Sequence, residues 1–176
     1  MIDLKLVIGA GHCEARKVAS GAYYQGWHES TINRQVTNEL IKLLQKKSHS
    51  VVNATINKAG SQTDYLKKVC KIVNDNNCDL FIQIHCNMSN NHNASGCEVW
   101  TWQGKKYKEA VNICSNMEKL GFKNRKIKDG SSLYVIKRTK PIALLVELFF
   151  MDSQVDRALY TKHGAKKLAQ AIADSI

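Results

Sequence analysis

The sequence predicts a single α/β domain, with a twisted, mostly parallel sheet of about six strands flanked by helices on both faces. Three observations lead there. Residues 5–12 (KLVIGAGH), 80–87 (LFIQIHCN) and 144–150 (LLVELFF) are short runs rich in Val, Ile, Leu and Phe, followed by turn signals or helical patterns, as strands buried on both faces read. Segments of strand and helix character alternate along the chain, and such alternation builds a parallel sheet whose crossovers lay helices on both sides. The 176 residues suit one domain, and 44% hydrophobic with 23% charged residues, one proline and no low-complexity tract exclude a disordered or fibrous chain.

Taken in order, strands are expected near 4–9, 50–55, 79–85, 96–102, 133–137 and 142–149, and helices near 30–47, 62–76, 104–120 and 163–175. The N-terminal stretch MIDLKLVIGAG has no basic n-region or small-residue cleavage site and is too short to span a bilayer. It reads as the first strand, with no signal peptide and no membrane insertion. The first helix places Ile32, Val36, Leu40, Leu43 and Leu44 on one face and turns Asn33, Arg34, Asn38 and Lys42 away, a 3.6-residue pattern. Ser61 and Asp64 form a capping-box-like start to the second helix, whose Leu66, Val69, Cys70 and Val73 make the buried stripe. The third buries Tyr107, Ala110, Val111, Cys114, Met117 and Leu120 and ends at Gly121, placed as a left-handed C-cap residue. The last buries Ala165, Leu168, Ala169 and Ile172.

Two segments break the alternation. Residues 10–28 form a long connection, and loops of that length in compact domains are usually functional or disordered; its Tyr23, Tyr24 and Trp27 argue for order. Residues 86–95 (CNMSNNHNAS) are polar and are expected to line the same rim of the sheet. GAGHCE at 9–14 begins like a dinucleotide-binding turn, but Glu14 occupies the third glycine position and no helix opens there. The six cysteines form no CxxC pair, so free thiols are expected rather than disulfides or a zinc knuckle, with Cys13 and Cys86 directed away from the neighbouring histidines. His49, ahead of a strand, is expected to be exposed.

The net charge of +11 is unevenly placed: residues 105–140 hold eleven Lys or Arg against three acids. Such a patch either keeps a surface soluble or attracts a polyanion. No zinc finger, RNP-type aromatic motif or heptad-bearing basic helix points to nucleic acid as that partner.

In sheets of this class ligands gather outside the carboxyl ends of the strands. His12 and His85 fall there, and Glu147 lies within the last apolar run. Two imidazoles and a carboxylate from separate segments are the donors of a catalytic zinc site with a fourth position left for water. Glu29, in WHES at the head of the first helix, is the other candidate carboxylate, although the helix dipole alone also favours an acid there. His28 is the replacement if Glu29 only caps the helix.

GAGH after the first strand, Glu29 heading the first helix, QIHCN around His85, GCEVW at 96–100 and VELFF at 146–150, in this order and spacing, resemble the type 3 zinc-dependent N-acetylmuramoyl-L-alanine amidases of cell-wall hydrolases and phage endolysins. The likeness covers essentially the whole chain. It implies that His12, Glu29 and His85 bind Zn2+ and that Glu147 is catalytic, acting as the proton carrier in cleavage of the amide between N-acetylmuramic acid and L-alanine of peptidoglycan. Asn87, in the polar loop after His85, is a candidate donor to the substrate. The chain departs from the family at Gly9 and Cys13, where Asp and Gly are usual, at Lys126, where glycine is common, and around Asp152 and Ser153, where an asparagine is often found. These departures bear on loop shape and substrate preference. The resemblance further implies that residues 1–176 are an endolysin catalytic domain, with a wall-binding domain outside this chain, made in a host cytoplasm and acting on the wall after release; the basic patch would then meet anionic wall polymers. The rival readings are a zinc peptidase cutting within the stem peptide, and a non-catalytic basic domain binding wall or nucleic acid.

Overall fold

A computed structural model of the chain describes residues 3–176; Met1 and Ile2, the start of the apolar N-terminal stretch, lie outside the described residues. The elements run β1 (Lys5–Ala10), β2 (Tyr23–Tyr24), β3 (Trp27–His28), α1 (Glu29–Lys46), β4 (Ser50–Asn53), α2 (Gln62–Asp75), β5 (Leu80–Asn87), β6 (Cys97–Thr101), a 3-10 turn (Trp102–Gly104), α3 (Lys108–Lys119), β7 (Asn124–Asp129), α4 (Tyr134–Arg138), β8 (Ile142–Phe150) and α5 (Gln154–Ala173). The six-stranded sheet has the order β4-β1-β5-β8-β6-β7. β4, β1, β5 and β8 are parallel, β6 is antiparallel to β8, and β7 is parallel to β6. β2 and β3 pair separately as a short hairpin within the long connection after β1.

The period-2 alternation of the central strands divides the core between two faces. Ile8, Ile82, Ile84, Leu144 and Val146 pack with Val36 and Leu40 of α1, Met117 of α3 and Leu168 and Ile172 of α5. On the other face Val7, Phe81 and Leu145 meet Tyr65, Val69 and Val73 of α2 and Val135 and Ile136 of α4. Both helix starts with a serine cap are satisfied locally, Ser61 Oγ accepting from the Asp64 amide at 3.0 Å and Ser153 Oγ from the Asp156 amide at 3.2 Å. Gly121 adopts φ +98 after α3, as its C-cap placement requires. All six cysteines are free and buried.

Several expectations change. Residues 133–137 are not a strand: Tyr134–Arg138 is one short helix, because a four-residue apolar run does not reveal its period. The missing strand is Asn124–Asp129, whose sequence NRKIKD lacks an apolar run because β7 is the sheet edge, where lysines discourage pairing with a further strand. α5 begins at Gln154, nine residues before the apolar stripe declares it, and is interrupted at Gly164 (φ +71). α3 begins at Lys108 rather than 104, and Val111 is exposed while Ile113 takes its place in the core. His49 is buried, its Nδ1 accepting from the Leu4 amide at 3.3 Å.

Candidate metal centre

Because β1, β5 and β8 run in parallel, their carboxyl ends share one rim. His12 follows β1 by two residues, His85 lies two residues before the end of β5, and α1 opens on Glu29. The rim brings the three together: His12 Nε2 is 3.2 Å from Glu29 Oε2, and His85 Nδ1 is 2.9 Å from Glu29 Oε1. Two glycines leave the space. A Cβ at Gly11 would stand 2.3 Å from the His85 ring, and one at Gly21, whose φ is +79, would stand 2.6 Å from Glu29 Oε2 and 2.7 Å from the His12 ring. Glu29 is 4% exposed and tightly held, receiving the Ala22 amide at 2.9 Å on Oε2 and Asn33 Nδ2 and the Cys86 amide, each at 3.3 Å, on Oε1.

The electrostatics suit a cation. Burial works against the charge of Glu29, but the hydrogen bonds from His12 and His85 outweigh it and hold the carboxyl below its usual range. Burial pulls the His85 pKa down, with Glu29 opposing, which favours the neutral ring that a metal ligand needs. One ligand atom from each of His12, Glu29 and His85 lies within 4.8 Å of the other two. Donors around a tetrahedral zinc at about 2.0–2.1 Å stand roughly 3.3 Å apart, and the two imidazole contacts to the Glu29 carboxylate, one on each oxygen, are of that order. The donor set of two imidazoles and one carboxylate fits zinc, and three protein ligands leave a fourth position open. Cys13 and Cys86 stay outside the cluster, with burial raising both thiol pKa values and so disfavouring the thiolate that binds metal.

Glu147 stands beside this cluster. It is the register partner of His85 across β5–β8 and of Glu98 across β6–β8, so the three side chains form a row on one face of the sheet. Its Oε2 is buried without a hydrogen-bond partner among the described residues. Glu98, 3% exposed, is fully engaged: Oε2 accepts from Arg125 Nε at 2.7 Å and Oε1 from Asn87 Nδ2 at 3.1 Å. Asn87 Oδ1 accepts from the Met88 amide at 2.8 Å, which fixes the orientation of the side chain and leaves one N–H free.

The family model described as N-acetylmuramoyl-L-alanine amidase matches residues 6–176. The chain belongs to this amidase family. An uncharacterised protein of Clostridium perfringens (strain 13 / Type A) is 32% identical over 98% of the chain and 51% of its own length, so the chain spans about half the length of the curated relatives it matches. Among solved structures, the catalytic domain of an endolysin targeting Clostridia difficile superposes with a TM-score of 0.84 at 28% identity, covering 98% of this chain and 96% of that one. Cwp6 from Clostridium difficile superposes with a TM-score of 0.84 at 27% identity, covering 99% of this chain and 29% of that one.

Within the amidase fold, the residues named from sequence divide cleanly. His12, Glu29 and His85 converge, and Glu147 adjoins them, whereas His28 stays outside, packed on Tyr23 at 4.7 Å between ring centroids. Two residues assigned to the solvent face of the first helix belong to the site's frame instead. Asn33 is fully buried, donating to the Gly11 carbonyl as well as to Glu29, and Arg34 reaches back to the loop that carries His12. Asn33 stands four residues after Glu29 and so shares its helix face, a signal the sequence offered; Arg34 lies off that face, and only the fold of the loop after β1 brings it to the site. Glu98 and Arg125 were also missed as a pair, since only the sheet order brings β6 and β7 together.

Proposed function

We propose that residues 1–176 are the catalytic domain of a zinc-dependent peptidoglycan hydrolase that cleaves the amide between N-acetylmuramic acid and L-alanine. The observation that carries this reading is the convergence of His12, Glu29 and His85 beside an unpartnered carboxylate oxygen of Glu147, in a chain of the amidase family. When bound, zinc supplies Lewis acidity toward a carbonyl and acidifies water. His12, Glu29 and His85 would hold it. Glu147 Oε2, which has no competing hydrogen bond among the described residues, takes the proton of the attacking water and returns it to the departing alanine nitrogen. The remaining N–H of Asn87, fixed by Glu98, is the nearest side-chain donor of the polar loop for the substrate.

The partner is bacterial peptidoglycan, and the basic patch would meet the anionic polymers of the wall. Among the residues of that patch all the cations are exposed except Arg125 and Lys128, and Arg125 alone is in an ion pair. No helix among the described residues is long and apolar enough to cross a membrane. The similarity to an endolysin catalytic domain supports action on the wall after release from a producing cell. Metal analysis of the purified protein together with identification of the chemical ends it creates in peptidoglycan tests the reading: about one zinc per chain and new N-terminal alanine are expected.

A further inference from the structure

Arg34 is half-buried in α1, yet no carboxylate lies within ion-pair distance of it among the described residues. Its guanidinium is directed at neutral acceptors. Nη2 lies 3.0 Å from the His12 carbonyl, 2.9 Å from that of Ile56 and 3.3 Å from Asn57 Oδ1. Nη1 lies 3.0 Å from the Ser30 carbonyl and 3.3 Å from that of Cys13, and Nε lies 3.4 Å from Asn57 Oδ1. An arginine has five N–H groups, and six contacts already draw on them. No donor remains for an anionic substrate, so this cation is not a subsite of the cleft. It gathers three segments: the loop after β1, the start of α1 and the loop after β4.

The His12 peptide is gripped from both ends. Its carbonyl is taken by Arg34, and its N–H donates to the Tyr65 hydroxyl at 2.7 Å, while the Tyr65 ring lies parallel to the His12 ring at 6.2 Å between centroids. The same hydroxyl accepts from Gln83 Nε2 at 3.0 Å, and Gln83 belongs to β5, the strand that carries His85. This grip matters because His12 has φ +68, the left-handed region that a residue with a Cβ avoids unless its surroundings impose it. Released from it, the loop would relax to ordinary φ and carry the ring away from Glu29 and His85.

We propose that Arg34, with Tyr65, is a positioning residue of the metal centre, clamping the His12 peptide so that its imidazole is preorganised for the ion. The inference rests on the metal-site reading given above. Arginine suits the task better than lysine, since its planar fork reaches carbonyls on separate loops at once, whereas an ammonium offers three donors at a single point.

The test is an equilibrium competition for Zn2+ between the purified full chain and a chromogenic chelator, run on wild type, Arg34→Met, Arg34→Lys and Tyr65→Phe, with the d–d spectrum of the Co2+-substituted proteins as a second readout. Loss of a group that orients a ligand weakens metal binding by roughly 10- to 100-fold. Arg34→Met and Tyr65→Phe are each expected to fall in that range with an altered Co2+ spectrum, and Arg34→Lys to recover part of the loss. A merely structural role would lower the melting temperature and leave affinity and spectrum unchanged, which would overturn the proposal. If Arg34→Met does not fold, Arg34→Lys and Tyr65→Phe decide by the same criteria. Wild type that takes up no zinc would instead overturn the metal reading itself, and the two failures are therefore distinct.

Discussion

Glu98 and Glu147 stand opposite each other in the antiparallel β6–β8 pair, and only Glu98 has a counter-charge. Arg125 both pairs with Glu98 and lies over the Phe150 ring, 4.8 Å from its centroid, so the cation is held on the Glu98 side. Glu147 is left with burial and two carboxylate neighbours. Burial, then the charges of Glu29 and Glu98, push its pKa well above the usual carboxylate range. A cation held by His12, Glu29 and His85 would oppose that push, so metal binding and the protonation of Glu147 would be linked.

Glu147→Gln keeps the shape of the side chain and removes its ability to carry a proton. The variant should fold, retain its zinc and hydrolyse wall material roughly 100- to 10,000-fold more slowly, the range associated with a lost general base. Zinc content and turnover measured on one preparation separate the roles: lost metal would make Glu147 a ligand, and unchanged turnover would remove it from the chemistry.

Asp152 ties the polar loop after β5 to the end of β8. Its Oδ2 accepts from the Ser89 amide at 3.1 Å, the Ser89 hydroxyl at 2.9 Å and His92 Nδ1 at 2.9 Å. Burial opposes its charge, but these hydrogen bonds prevail and hold the pKa below 3.8. The folded state therefore binds fewer protons than the unfolded one, so the contribution is complete above the unfolded value and is lost as pH falls through the lower folded value. Hydrogen bonds to a charged acceptor contribute about 1.5–3 kcal/mol. Asp152→Asn should consequently raise exchange of the Ser89 amide by roughly tenfold or more at neutral pH, after correction for intrinsic rates, and flatten its acid dependence. Equal protection in both proteins would show that the loop is held by other contacts.

The parts of the fold visible in the sequence are those whose physics is local. The runs around Val7, Ile82 and Leu145 are buried on both sides, so each is apolar throughout and reads as a central strand. Ser61 and Gly121 mark helix ends by side-chain and backbone chemistry that needs no tertiary context. β7 was invisible because an edge strand is stabilised by its neighbour and not by its own pattern. The convergence of His12, Glu29 and His85 beside Glu147 was legible through motif order, whereas Asn33 and Arg34 were read as solvated because a helical wheel cannot show that a loop folds back over its polar side. Asn87 was named as a donor, but its orientation depends on Glu98, eleven residues away on another strand.

The exposed cations between residues 105 and 140 lie on α3, β7, α4 and the turns joining them. If they draw the protein to an anionic wall, lysis of intact walls should weaken as salt rises, since exposed charges are screened over roughly 8 Å at physiological ionic strength. Cleavage of a small uncharged fragment should respond much less. Rates on both substrates across a salt series provide the comparison, and parallel curves would reduce the patch to a device for solubility.

The bond that is cut decides between this reading and its rivals. Attack at the lactyl carbonyl, with Glu147 protonating the departing nitrogen, must free one α-amino group on L-alanine and leave one carboxylate on muramic acid for each event. No reducing sugar should appear, because a glycosidase needs two carboxylic acids flanking the sugar bond, roughly 5–9.5 Å apart, and would raise reducing ends instead. Here the carboxylates nearest to Glu147 are committed elsewhere, Glu29 to two imidazoles and Glu98 to Arg125. A peptidase acting within the stem peptide would use the same metal ligands but expose the amino group of a later residue. Labelling of free amino groups in peptidoglycan before and after digestion, followed by hydrolysis and identification of the labelled amino acids, should therefore show alanine as the only label gained; a gain at a residue further along the stem would overturn the specificity and leave the metal centre standing.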